Sequence, residues 1–157
     1  MKFEKFLKQV GTHGEVIERN ESEKWLVCGG VGMVIPRGVD NLLGSSKDRE
    51  YASIVDVIAN AELDDKLSLV DAVLLDPTGN AGAIYRVFES ELGERVAIIN
   101  ADYGLLEKKD LLGYGEIEIP AKYEGDVTVE EEKTIKYILV YDQTGNIQGF
   151  ITGSNKF

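Results

Sequence analysis

Apolar residues at the start of the chain recur every three or four positions. Within residues 2–10, the apolar side chains are Phe3, Phe6, Leu7 and Val10. At about 100° per helical residue, these positions cover an arc of about 100° and form one apolar stripe. Gly11 follows directly, at a position where helices commonly end. The pattern therefore predicts a short amphipathic helix over residues 2–10.

The polar side of this predicted helix carries a row of lysines. Lys2, Lys5 and Lys8 are spaced by three residues and fall opposite the apolar stripe. Such a row is the ordinary solvated face of an amphipathic helix, and it is also an arrangement that can contact a phosphate backbone. Lys2, Lys5 and Lys8 are therefore the candidate DNA-binding residues.

Beyond the first helix, the apolar residues form short runs separated by turn residues, which is typical of strands. Three such runs predict a strand meander: Val16-Ile17, Trp25–Cys28 and Val31–Ile35. Pro36 ends the third run. Residues 37–50 have no sustained period and contain loop-forming residues, so they predict a long mobile loop.

The second half of the chain continues this β-rich pattern. Four further strands are predicted, at residues 53–59, 66–75, 83–91 and 94–100. Residues 102–112 leave strand composition and are followed by Gly113, which favours a second short helix. An acidic loop is predicted at about residues 121–135, where Glu130, Glu131 and Glu132 form a run of like charges.

One phrase occurs twice in the chain. Leu74–Asn80 and Val140–Asn146 each place Asp-x-Thr-Gly-Asn after two apolar residues. Gly and Asn suit turns that need a positive φ, so each copy is expected to close a hairpin, the second between strands 136–141 and 147–152. The oxygen-bearing side chains also suggest calcium, but the alternating acids and terminal glutamate of a calcium loop are missing.

Together these elements predict an α+β fold made mainly of antiparallel β-sheet with two short helices. The length of 157 residues fits a single domain over residues 1–157, which would bury about 70% of its unfolded surface. Sequence pattern therefore informs the fold more directly than it informs the activity.

Charge restricts the partners that such a fold can bind. The 28 acidic and 17 basic residues give a net charge of −11. A surface of this kind repels nucleic acid and anionic membranes unless its bases are segregated on one face. The lysine row of the first helix is the one segregated cluster in the pattern, so it decides whether DNA is a partner.

The remaining composition favours a cytoplasmic protein without a membrane partner. No window approaches the roughly 20 apolar residues that cross a bilayer, and the first residues lack the pattern of a secretion signal. The single cysteine, Cys28, cannot form an internal disulfide, which suits a reducing compartment.

No catalytic, cofactor or metal site is predicted, and no small-molecule substrate is evident. His13 is the only histidine, Cys28 lies in an apolar run, and the glycines at 29, 30 and 32 lack the residues of a phosphate-binding loop. A hydrolase is the last-ranked hypothesis, because it would need dispersed aspartates to meet in one cleft: Asp56, Asp64, Asp65, Asp71 and Asp76.

The order of elements resembles one domain of a DNA sliding clamp, the family of polymerase processivity factors. Val96–Leu106 resembles the clamp's strand followed by a helix with a leucine pair, and Ile138–Ile151 resembles its closing hairpin. The resemblance implies helices facing DNA inside a ring and antiparallel sheets outside. Clamp chains contain two or three such domains, so a ring would require several copies of this chain or a partner.

Two functional hypotheses follow. The leading one is a non-enzymatic, clamp-like module that forms homo-oligomers or binds replication-type protein partners and contacts double-stranded DNA through Lys2, Lys5 and Lys8. The alternative is an acidic protein-binding module, such as an inhibitor or accessory factor, that acts on a basic partner. The net charge of −11 and the glutamates at 130–132 support the alternative.

Overall fold

Three helices and eleven strands are seen in the computed structural model, which describes residues 1–39, 49–75 and 84–154, with backbone alone for 49–52 and 71–75. The helices are α1 (Phe3–Val10), α2 (Arg49–Ala59) and α3 (Asn100–Tyr103). The strands are β1 (Glu15–Asn20), β2 (Glu23–Cys28), β3 (Val31–Val34), β4 (Leu67–Leu75), β5 (Ile84–Ser90), β6 (Arg95–Ile99), β7 (Leu111–Ile119), β8 (Lys122–Glu124), β9 (Val127–Glu130), β10 (Lys133–Tyr141) and β11 (Ile147–Thr152).

A six-stranded sheet in the order β1-β2-β3-β11-β10-β7 forms the centre of the structure, and each of its pairs is antiparallel. Strand β10 lies between β11 and β7, and its last five residues, 137–141, are all buried. Successive side chains of a strand point to opposite faces, so this run presents apolar groups on both faces. Both faces of the sheet must therefore be covered.

One face is covered by α1 together with a smaller antiparallel sheet in the order β4-β5-β6. Phe6 and Val10 of α1 and Phe88 of β5 belong to the same buried cluster as Ile138 and Val140 of β10. The predicted amphipathic helix is thus present, with its apolar stripe in the core. Its position on the sheet determines where its opposite, polar side faces.

The other face is covered by α2. Val55 and Ile58 of this helix pack in a second cluster with Trp25, Phe150 and Tyr137. The ring centroids of Trp25 and Phe150 are 6.1 Å apart, and Phe150 meets Tyr137 edge to face at 5.8 Å. These separations lie in the range that favours aromatic pairs.

The strand predicted at residues 53–59 is wrong, because this segment belongs to α2. Val55 and Ile58 are buried whereas Val57 is exposed, which is the burial pattern of a helix one side of which faces the sheet. A short apolar run is compatible with either a strand or a buried helix. The fold consequently has three helices in its described residues instead of two.

The helix predicted at residues 102–112 is also wrong in extent. Helix α3 ends at Tyr103, turns follow, and β7 begins at Leu111. Leu105 is fully buried from a turn, so the leucines do not need a helical stripe to reach the core. Gly113 lies inside β7, where a Cβ atom would come within 2.8 Å of Leu63, so it permits close packing and does not end a helix.

The predicted acidic loop at 121–135 is instead the hairpin β8–β9 followed by the first residues of β10. The strands predicted at 66–75, 83–91 and 94–100, the early meander and the closing hairpin are confirmed. Of the predicted loop at 37–50, residues 40–48 lie outside the described residues, and 49 and 50 begin α2.

No helix in the described ranges is both long and apolar enough to span a membrane.

We expect Phe150→Ala to lower the free energy of unfolding by about 3–5 kcal/mol, because it removes a buried ring that contacts both Trp25 and Tyr137. The exposed fraction of Phe150 is 2% and that of Leu92 is 83%. Leu92→Ala is therefore the control, with an expected change within about 0.5 kcal/mol. Urea unfolding measures both changes in the free energy of unfolding; equal changes would contradict the burial of Phe150 in the cluster between the large sheet and α2.

Candidate nucleic-acid interface

The two residues that precede α1 are hydrogen-bonded to the segment that follows α3. The ammonium group of Met1 donates to Asp110 Oδ1 at 2.9 Å in a partly buried ion pair, and the side chains of Met1 and Asp110 are 2% and 3% exposed. The backbone N–H of Lys2 donates to the carbonyl of Leu105 at 2.8 Å. Asp110 Oδ2 accepts a further hydrogen bond from the Glu107 N–H at 2.8 Å. These bonds hold the helix in one orientation.

In that orientation the three predicted lysines are exposed and lie together. Lys2, Lys5 and Lys8 line one open depression of about 660 Å³ beside α1. Lys5 Nζ donates to the carbonyl of Gly104 at 3.2 Å. Within the parts of the chain described, no carboxylate lies within 4.0 Å of the ammonium groups of Lys2 or Lys8.

A fourth lysine, Lys108, adjoins this row. It lines a neighbouring depression that also includes Lys2. In sequence, Lys108 is accompanied by three acids, but the structure reduces their effect: Asp110 pairs with the Met1 ammonium, and Glu107 pairs with Lys109 at 3.3 Å. Burial raises the pKa of the Asp102 carboxyl. We call Lys2, Lys5, Lys8 and Lys108 the lysine surface.

Arg86 is a further cation near this surface that sequence reasoning missed. Its guanidinium lies 5.0 Å from the centroid of the Tyr103 ring, and its Nε donates to Asn100 Oδ1 at 3.1 Å. Arg86 belongs to β5, far from α1 in sequence. No local sequence pattern predicts that an arginine of β5 lies near the lysine surface.

The charge of the lysine surface is opposite to that of the whole protein. Residues 1–10 contain three lysines and one glutamate, a side-chain charge of +2, whereas the full chain carries −11. The other residues therefore carry −13 in formal charge. Such segregation is the condition under which an acidic protein can approach a polyanion.

The second Asp-x-Thr-Gly-Asn phrase forms the turn between β10 and β11. Asp142 Oδ1 accepts hydrogen bonds from the Thr144 N–H at 2.9 Å, the Thr144 hydroxyl at 2.7 Å and the Asn146 N–H at 2.9 Å. Gly145 has a φ of +87°. The predicted turn is confirmed for this copy. The first copy, at residues 76–80, lies outside the described residues.

The hairpin β8–β9 carries the run of acids and projects from the sheet. We call residues 122–132 the acidic arm. All of its residues are exposed, including Tyr123 at 65% and Val129 at 55%. Lys122 pairs with Glu130 at 3.4 Å across the hairpin. The arm thus combines exposed apolar side chains with negative charge.

The other candidate residues occupy structural positions. Asp56 pairs with Arg19 at 3.2 Å, and Asp65 accepts a hydrogen bond from the Leu92 N–H at 3.2 Å. Gly29 and Gly30, with φ of +58° and +80°, form the turn between β2 and β3. In the described ranges, no three His, Cys, Asp or Glu side chains gather in a way that could hold a metal ion.

The remaining sequence candidates are dispersed or lie where side chains are not described. His13 follows α1 in a turn and donates its N–H to Val10, while Cys28 is half-buried at the end of β2. Gly32 lies within β3 under the Phe150 ring, so it is not part of the turn. The side chains of Asp71 and Asp76 lie outside the described part.

The chain matches no protein family, no curated protein and no solved structure. The resemblance to a sliding-clamp domain therefore remains a prediction based on the residues that suggested it. The lysine surface and the acidic arm are the two charged surfaces from which a function can be inferred.

The Asp142 turn yields a pH-dependent prediction. Hydrogen bonds, first that from the Thr144 hydroxyl, lower the pKa of the Asp142 carboxyl below its usual value of about 3.8. The carboxylate therefore stabilises the fold above its unfolded pKa, and this contribution is lost as pH falls through the folded pKa. We expect Asp142→Ala to destabilise the protein at pH 7 and to differ less from the wild type near pH 3.

Urea unfolding of both proteins between pH 7 and pH 3 measures this difference. Asp126→Ala is the control, because Asp126 lies at the exposed tip of the acidic arm. A gap between wild type and Asp142→Ala that widens on acidification would contradict the role assigned to the turn.

Proposed function

We propose that this protein is a non-enzymatic, clamp-like module that contacts double-stranded DNA through the lysine surface and works as an assembly with further copies or protein partners. The observation that carries the proposal is the exposure of Lys2, Lys5 and Lys8 along one side of a firmly held helix. Lysine ammonium groups in such a row are suited to bind phosphates independently of base sequence.

The dimensions of the row suit a duplex. Lys2 and Lys8 are six residues apart, which is about 9 Å along a helix axis. Duplex DNA carries one negative charge per about 1.7 Å of its axis, so a row of this length faces several phosphates at once. The flexible lysine stems allow each ammonium group to reach its nearest phosphate.

The acidic remainder of the surface supports the same orientation. With a formal charge of −13 outside residues 1–10, other faces of the protein repel a duplex. The lysine surface is then the face that a DNA duplex approaches with the least electrostatic repulsion. The sliding-clamp resemblance supports this choice, because in that family helices face the DNA.

A second candidate function is supported by the acidic arm. Its exposed Tyr123, Val127 and Val129 lie among carboxylates, a combination that suits a basic protein partner with an apolar patch. In this case the protein would be an inhibitor or accessory factor. Loss of partner binding when the arm's charge is reversed, with the lysine surface intact, would favour this alternative.

We expect the lysine-row variant Lys2→Glu/Lys5→Glu/Lys8→Glu to lose measurable binding to a fluorescent duplex of random sequence. Three phosphate contacts give a salt slope of about −2.7, so wild-type affinity should fall about 40-fold between 50 mM and 200 mM salt. Fluorescence anisotropy, at protein concentrations that cover the monomer and any assembly, measures both effects.

The matched control is Lys66→Glu/Lys122→Glu/Lys133→Glu, which makes the same change in net charge at exposed lysines away from α1. This control should retain at least part of the affinity, because its lysine surface is intact. Absence of wild-type binding at low salt in every assembly state would overturn the proposal, as would equal loss in both variants.

A further inference from the structure

We propose that the acidic arm of one copy docks into an apolar, lysine-rimmed depression on a second copy, so that copies join head to tail. This inference rests on the self-assembly in the proposed function and names the contact that would produce it. The docked arm would meet Lys2 and Lys108 and leave Lys5 and Lys8, which do not line the depression, open to DNA. The inference is based on two surfaces of the same chain, which lie at opposite ends of strand β7.

The first surface is the acidic arm, which has apolar groups without cover. Tyr123 lies opposite Thr128 in the hairpin register, and Val129 occupies the irregularity beside this pair. Every residue from 122 to 134 is exposed. A two-stranded hairpin by itself is marginally stable in water, so a docked partner would stabilise it.

The second surface is the depression beside Lys108, with a volume of about 610 Å³. This volume falls in the size range of ligand-binding clefts, and the depression is open to solvent on one side. Leu69 is 44% exposed there, so part of the apolar lining is open to solvent. The apolar and aromatic part of the lining consists of Leu69, Phe88, Tyr103, Leu106 and Leu112, and the rest consists of Gly104 and the charged residues Lys2, Glu107, Lys108 and Asp110.

Charge makes the two surfaces complementary. The arm contains five acids and one base over residues 122–132, a formal charge of −4. On the rim of the depression, Asp110 and Glu107 are already paired, whereas Lys2 and Lys108 remain exposed. Opposite charges around apolar contacts favour one docking orientation and speed association.

Distance excludes the arm of the same chain as the occupant of the depression. The depression includes Asp110 and Leu112, where β7 begins, whereas the arm follows the end of β7 at Ile119. The nine residues of β7 separate these ends by about 27 Å. An arm therefore cannot fill the depression of its own chain, and head-to-tail contacts produce a closed ring or an open filament.

The test uses two charge-reversed forms of the full chain in sedimentation-velocity experiments. The arm variant is Glu130→Lys/Glu131→Lys, and the depression variant is Lys2→Glu/Lys108→Glu. Wild-type protein should associate more weakly as salt rises. Each variant alone should associate at least about tenfold more weakly, because the arm variant loses the net negative charge of its arm and the depression variant places two carboxylates on its rim. An equimolar mixture should recover association, because the unchanged acidic arm of the depression variant can dock on the unchanged lysine rim of the arm variant.

Glu21→Lys/Glu91→Lys is the matched control for the arm variant and should associate like the wild type, since both residues are exposed and lie outside the arm. Urea unfolding verifies that every variant is folded. A wild-type chain that stays monomeric to about 1 mM overturns the inference, as do variants whose mixture gains nothing over the separate proteins.

Failure of this inference can be distinguished from failure of the proposed function. If the arm variant associates normally while the lysine-row variant loses DNA, the docking contact is wrong and DNA contact stands. If the mixture recovers association while the lysine-row variant still binds DNA normally, the docking contact stands and the proposed DNA surface is wrong. Binding of the arm to a basic protein without self-association also overturns the docking contact.

Discussion

The structure depends on the burial of strand β10 on both of its faces. Its last five residues are consecutive, large and buried, so neither face of the sheet around it can remain in water. Helix α2 covers one face through Val55 and Ile58. Helix α1 and the small sheet cover the other, around Ile138 and Val140.

This requirement also determines the electrostatics of the surface. Once Phe6 and Val10 enter the core, the opposite side of α1 must face solvent, and the lysines occupy that side. The ammonium–Asp110 ion pair holds the end of the helix and removes one acid from the neighbourhood of Lys108. A cationic surface on an acidic protein is thus a consequence of how the core is packed, and its proposed contact with DNA builds on that arrangement.

Sequence pattern predicted the elements whose periodicity is clear. The stripe of α1, the meander and the β10–β11 hairpin were all predictable, and the turn at Asp142 follows from its Asp, Thr, Gly and Asn. The exposed Lys2, Lys5 and Lys8 were predicted from the same helical spacing. Local information was sufficient because these features are formed by neighbouring residues.

Features that depend on distant contacts were not predictable in this way. Residues 53–59 form a helix because Val55 and Ile58 pack on the large sheet, and their short run carries no decisive period. The ion pair between Met1 and Asp110 joins residues that are far apart in sequence. It neutralises an acid near Lys108, which can therefore belong to the lysine surface. The depression combines Lys2, which precedes α1, with residues from two strands of the small sheet, the α3 region and β7.

The most direct test of DNA contact at the lysine surface is a map of backbone amide shifts, measured by NMR while a short duplex is added at low salt. We expect the largest changes at residues 2–8 and 104–109, little change in the acidic arm, and reversal of the shifts as salt is raised. Changes concentrated in residues 122–132, or no changes at all, would contradict DNA contact at the lysine surface.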